Sequence, residues 1–145
     1  MTQIDFYILQ AGAGQSRMDF AIRLTEKLYR DGRRVHLHAG DSAMLNALDS
    51  GLWQNRDISF IPHEIADAPL TDCPVTLGTG AFTGAEEVLV NLAENVPEFF
   101  SRMERVVEII DTAAPDVAAG RDRYRYYRDR GYPLKNHSIP SSKPS

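Results

Sequence analysis

Along the first fifty positions, short apolar runs alternate with segments of helical period. Asp5 to Leu9 (DFYIL) reads as a strand and ends at the turn-prone Ala11-Gly12-Ala13-Gly14. From Arg17 to Tyr29, Met18, Ala21, Ile22, Leu24, Leu28 and Tyr29 recur at helical spacing, and Gly32 supplies the stop. Arg34 to His38 alternates as a second strand should. Asp41 can cap a helix that begins at Ala43 and reaches about Leu48. A β-α-β-α order of this kind predicts a parallel sheet covered by helices.

The middle of the chain carries three shorter strand candidates, Ile58 to Ile61, Val75 to Leu77 and Val88 to Leu92, separated by loops bearing proline and glycine. Pro97 opens a brief helical stretch through Phe99, Phe100 and Met103, and Val106 to Ile110 is rich enough in β-branched residues to be a strand. A last helix has Pro115 in its first turn, runs to about Arg130 and stops at Gly131. The expected organisation is a single α/β domain over residues 1–137, followed by a polar, proline-bearing and disordered tail, 138–145.

Composition narrows the class. The chain has 145 residues, 43% hydrophobic and 25% charged, ordinary values for one globular domain. No apolar run reaches the ~20 residues of a membrane helix. The opening MTQIDFYIL lacks the basic start of a secretory leader, and the lone Cys73 fits a reducing compartment, so the expected location is the cytoplasm. The net charge of −4 is unevenly spread. Between Gly120 and Lys135 six cations face Asp122 and Asp129, a local excess of +4 that leaves −8 for the remainder.

Most candidate chemistry is weak. Gly12-Ala13-Gly14-Gln15-Ser16-Arg17 follows a strand and precedes a helix, as a dinucleotide-binding turn does, but Arg17 stands where the third glycine belongs. A small-molecule- or nucleotide-binding α/β enzyme using the Gly12–Gly14 turn is therefore the alternative reading. Gly78 to Gly84 lacks the Gly-Lys-Ser/Thr ending of a phosphate loop. His36 and His38 share a strand face, yet neither His63 nor Cys73 stands at a metal-ligand spacing, so no metal and no cofactor is expected. No hydrolase motif is present, and no catalytic residue is expected.

The last helix is more informative. Arg121, Tyr124, Arg125 and Arg128 fall at i, i+3, i+4 and i+7, on one face. Such a face suits an acidic peptide ending in an apolar residue and a free carboxylate, or a phosphate backbone; equally, the arginine stems could simply cover apolar surface. Trp53 and Phe60 are candidates for a second contact surface, although a lone tryptophan is more often core.

Taken together, the blocks Phe6-Tyr7-x-Leu9, Gly32-Arg33-Arg34-Val35, Leu48-Asp49-x-x-Leu52-Trp53, Ser59-Phe60-Ile61-Pro62-His63, Pro97-Glu98-Phe99-Phe100, Arg105-Val106-Val107-Glu108-Ile109 and Ala119-Gly120-Arg121-x-Arg123-Tyr124-Arg125-x-Tyr127-Arg128-x-x-Gly131-Tyr132 resemble, in order and spacing, the chi subunit of bacterial DNA polymerase III. The resemblance runs from Asp5 to about Leu134. It implies a Rossmann-like, mostly parallel three-layer domain without catalytic residues or a nucleotide, acting as an accessory subunit in the clamp-loader assembly. It also implies that Arg121, Tyr124 and Arg125, with Ile110 as apolar neighbour, match positions that hold the C-terminal tail of single-stranded-DNA-binding protein. Arg125 stands where a lysine is common. Trp53 and Phe60 match positions that meet the psi subunit or a helicase competing for the same surface, which turns the expectation for Trp53 from core to contact. The loop from Gln10 to Arg17 is shorter and richer in glycine than that family leads one to expect.

Overall fold

In a computed structural model that describes residues 1–10, 14–54, 61–66, 73–84, 87–112 and 117–140, the apolar runs pair as seven strands of one sheet, with every pairing parallel. The elements are β1 (Gln3–Leu9), α1 (Arg17–Arg30), β2 (Val35–His38), α2 (Ser42–Gln54), β3 (His63–Ile65), β4 (Val75–Gly78), β5 (Val88–Asn91), a 3-10 turn (Glu98–Arg102), β6 (Arg105–Asp111), α3 (Val117–Asp129) and β7 (Leu134–Ile139). The strand order is β3-β4-β2-β5-β6-β1-β7.

Strands β2, β4 and β5 are buried at every position, as expected of parallel strands covered on both faces. One face packs Ala21, Leu24 and Leu28 of α1 and Leu48 and Leu52 of α2 against Leu37, Leu77 and Ile109. The other packs Phe99, Phe100 and Met103 of the 3-10 turn and Tyr127 of α3 against Ile4, Phe6, Leu89 and Val106. The result is the expected three-layer α/β arrangement. No described helix is long and apolar enough to cross a membrane.

Helix limits follow from local chemistry. Ser16 and Asp19 close a reciprocal capping box at the start of α1, each side chain accepting from the other's backbone N–H. Both α1 and α3 end in Schellman turns. In α3 the Tyr132 N–H donates to the Tyr127 carbonyl and the Gly131 N–H to that of Arg128, while Gly131 sits at φ 78°, where a Cβ would be strained. Gly32, at φ 80°, ends α1 in the same way.

Three sequence expectations are corrected. Helix α2 runs to Gln54 rather than about Leu48, because Leu52 also turns inward. The strand near Ile61 is His63–Ile65; Ile61 precedes it, and residues 58–60 lie outside the described residues. Ser138 and Ile139, expected in the tail, belong to β7, whose outermost place in the strand order lets a polar sequence be a strand. Residues 141–145 lie outside the described residues.

His36 is fully buried, stacked on Phe82 at 3.9 Å, with Nδ1 2.8 Å from the Thr76 hydroxyl. Burial, and then the neighbouring His38, lower its pKa from 6.5 to about 3. The folded state therefore resists a proton that the unfolded chain accepts, so the associated stability is present above about 6.5 and is lost as pH falls toward about 3. Urea titrations across that window should show a slope of up to about 1.4 kcal/mol per pH unit from this residue, absent in His36→Phe. An unchanged slope in the variant would assign the acid sensitivity to other groups.

Candidate functional site

The site begins with a charge in the wrong place. β6 is otherwise apolar over Val106, Val107, Ile109 and Ile110, yet its centre is Glu108, fully buried. A buried carboxylate is costly unless its lone pairs are satisfied. Here the Arg123 Nε donates to it at 2.8 Å, the Tyr127 hydroxyl at 2.7 Å and the Asn91 amide at 2.8 Å. Burial and the adjacent Glu108 charge push the Tyr127 phenol well above its ordinary pKa, so it remains a donor. Arg123 and Tyr127 are four residues apart and therefore project from one side of α3 into the domain.

Gly120 sets the depth of that contact. A Cβ there would come within 2.9 Å of Ile110 Cγ1, so the missing side chain lets α3 lie close on β6. With the helix fixed in rotation and height, its adjoining face overlooks the sheet between β6 and β7. Arg121, Tyr124, Arg125 and Arg128 line an open groove there of about 450 Å³, together with Ile8, Ile110, Thr112, Val117 and Asn136. All four helix residues singled out in the sequence, and Ile110, thus meet in one place. The tyrosine ring is half-buried and meets Phe6 edge-on at 5.0 Å.

The guanidinium groups remain accessible. Arg125 pairs with Asp122 at 3.0 Å and Arg128 with Asp129 at 3.1 Å, with both arginine side chains more than half exposed. Such pairs contribute little and exchange readily for an incoming anion. Arg121 is exposed and joins no ion pair among the described residues. Arg123 differs: counted in the basic window, it is spent internally on Glu108. The groove can therefore hold carboxylates along its rim while an apolar group enters between Ile8, Ile110 and Val117.

The remaining candidates are dispersed. Trp53 stands on the last turn of α2, 56% exposed, on a different part of the surface from the groove, while Phe60 lies outside the described residues. His36 and His38 share a face as expected and pack against Phe99. Burial lowers the His38 pKa, and among the described residues no three His, Cys, Asp or Glu side chains gather as metal ligands. Gly12 lies outside the described residues; Gly14 is at φ 79°, and the Asp19 carboxylate accepts from Ser16 N–H at the start of α1. That carboxylate opposes a second anion at this helix N-terminus. Sequence reasoning missed Ile8, Thr112, Val117 and Asn136. Asn136 was hidden because β7 was not expected as a strand.

The comparisons agree on one relationship. A family model described as the DNA polymerase III chi subunit, HolC, matches residues 1–135. A Pseudomonas aeruginosa protein named DNA polymerase III subunit chi is 38% identical over 141 residues, covering 97% of this chain and 99% of its own length. Proteins of the same name from Escherichia coli, 25% identical, and Haemophilus influenzae, 22% identical, each cover 92% of this chain and 96% and 95% of their own lengths.

Removing one partner of the buried pair leaves the other charge stranded. Arg123→Met should cost about 3–5 kcal/mol in urea denaturation, with part recovered in the Glu108→Leu/Arg123→Met double variant. A single-variant loss below about 1 kcal/mol would mean that Glu108 does not depend on Arg123.

Proposed function

This chain belongs to the DNA polymerase III chi-subunit family, and we propose that it serves as a non-catalytic tether, its α3 groove holding the C-terminal tail of single-stranded-DNA-binding protein while the Trp53 surface contacts the clamp-loader side. The observation that carries this reading is the convergence of Arg121, Tyr124, Arg125, Arg128 and Ile110 on one groove with three accessible guanidinium groups over an apolar floor. An acidic peptide with an apolar last residue and a free carboxylate matches both halves of that chemistry. On the other surface, the psi subunit, or a helicase competing for the same place, is the proposed partner of Trp53 and Phe60. The setting is cytoplasmic DNA replication.

A single peptide contact of this kind is weak, because its charges lie at the surface and are screened. It becomes effective when the partner is an oligomer that displays several tails near the template, since each release is followed by recapture at high local concentration. Direct binding to a phosphate backbone is less well supported, because charges outside the Gly120–Lys135 window sum to −8 and repel nucleic acid along most of the molecule. A dinucleotide site at the start of α1 is disfavoured by the Asp19 carboxylate already capping that helix.

Calorimetry with a synthetic tail peptide tests the proposal. Arg121→Ala should weaken binding about tenfold or more, the loss of a hydrogen bond between charged groups. Wild-type affinity should fall as salt rises. Equal affinity of wild type and Arg121→Ala, or retention of the wild-type chain on plain single-stranded DNA without any partner, would reject this assignment.

A further inference from the structure

Trp53 is more than half exposed, yet it does not stand alone. Asp49 and Trp53 are four residues apart on α2 and so share one side of its final turns. Between them sits the ring of His63, the first residue of β3, with no side-chain exposure. Its centroid lies 4.7 Å from that of Trp53 at an interplanar angle of 56°. Its Nδ1 is 2.7 Å from the Ile61 carbonyl oxygen, which can only accept, so that nitrogen carries a proton and donates. Its Nε2 lies 3.2 Å from Asp49 Oδ1 without a hydrogen bond between them.

The imidazole is thus fixed by its hydrogen bond to the backbone before β3, and the indole lies against it. A side chain that is exposed but already seated loses less freedom when a partner covers it. This is the arrangement an aromatic contact residue needs if it is to act as a binding hot spot rather than as a mobile apolar group.

We infer that His63, held by the Ile61 carbonyl, is the positioning residue that presets Trp53 for its protein partner. The inference rests on the reading of Trp53 as a partner contact, and it adds a residue whose own side chain never reaches the partner. His63 acts through the indole.

Trp53 is the sole tryptophan of the chain, so its fluorescence reports this seat directly. In time-resolved anisotropy of the full chain, His63→Ala should enlarge the fast local depolarisation of the indole and raise its quenching by acrylamide. His63→Gln, which keeps a donor for the Ile61 carbonyl, should restore most of the restraint. Should His63→Ala fail to fold, His63→Leu removes the donor while keeping much of the volume and gives the same readout, and far-UV circular dichroism checks the fold of each variant. An indole as restrained in the folded variants as in wild type would overturn the inference. With the psi subunit as probe, the same loosening variants should bind roughly two- to tenfold more weakly, the cost of ordering one freed side chain. Trp53→Ala keeps the two claims apart: full psi binding by that variant would overturn the partner reading of this surface, whereas the anisotropy result needs no partner at all.

Discussion

The buried carboxylate of Glu108 is the constraint around which the rest of the domain is arranged. Its position in the middle of β6 puts it in the layer between sheet and α3, where an unsatisfied charge would be intolerable. Three donors from two separate elements meet it: Asn91 from β5, and Arg123 and Tyr127 from α3. Apolar packing alone would leave α3 free to settle at several rotations, since hydrophobic contact has little directionality. A carboxylate that must receive both Arg123 and Tyr127 permits one. Gly120 then allows the helix to close on Ile110. The cationic face is consequently a by-product of burying a different arginine correctly.

That arrangement divides the five arginines of the basic window by role. Arg123 is structural and inaccessible, while Arg121, Arg125 and Arg128 lie on the adjoining face and line the groove. Arg130 turns back over the Tyr126 ring at 3.5 Å. A positive window in a sequence therefore overstates the charge available to a ligand, and here the surplus that matters is narrower and more directional than composition implies. The apolar floor between Ile8, Ile110 and Val117 adds a requirement that charge alone does not, which favours a peptide end over an extended polyanion.

Much of this was legible beforehand, and the reasons differ from element to element. The strands buried on both faces announce themselves as apolar runs, and Gly32 and Gly131 end their helices where a left-handed residue is needed. The α3 face was legible because helical spacing alone brings Arg121, Tyr124, Arg125 and Arg128 together. Glu108 could have been found as well: a lone acid inside a β-branched run demands a partner, and Arg123 and Tyr127, each one position before a residue of the exposed face and so turned off it by about 100°, were available. β7 was not legible, because an edge strand with one side open needs no apolar pattern, and Leu134-Lys135-Asn136-His137-Ser138-Ile139 has little. Missing β7 also meant missing Asn136 in the groove. Trp53 could not be placed from the residues alone, since burial of a lone tryptophan depends on where α2 ends, and α2 outran its expected limit.

The central claim is that an anionic polypeptide end occupies the groove between α3 and the β6–β7 side of the sheet. Backbone amide shifts of the isotopically labelled chain, titrated with an acidic peptide bearing an apolar terminal residue and a free carboxylate, test it most directly. The account predicts that the perturbed amides cluster around Ile110, Thr112, Val117 to Arg128 and Asn136. Perturbations centred instead on the cleft around His38, Ala93 and Asn95 at the carboxyl ends of β2 and β5, with the α3 face unmoved, would contradict it.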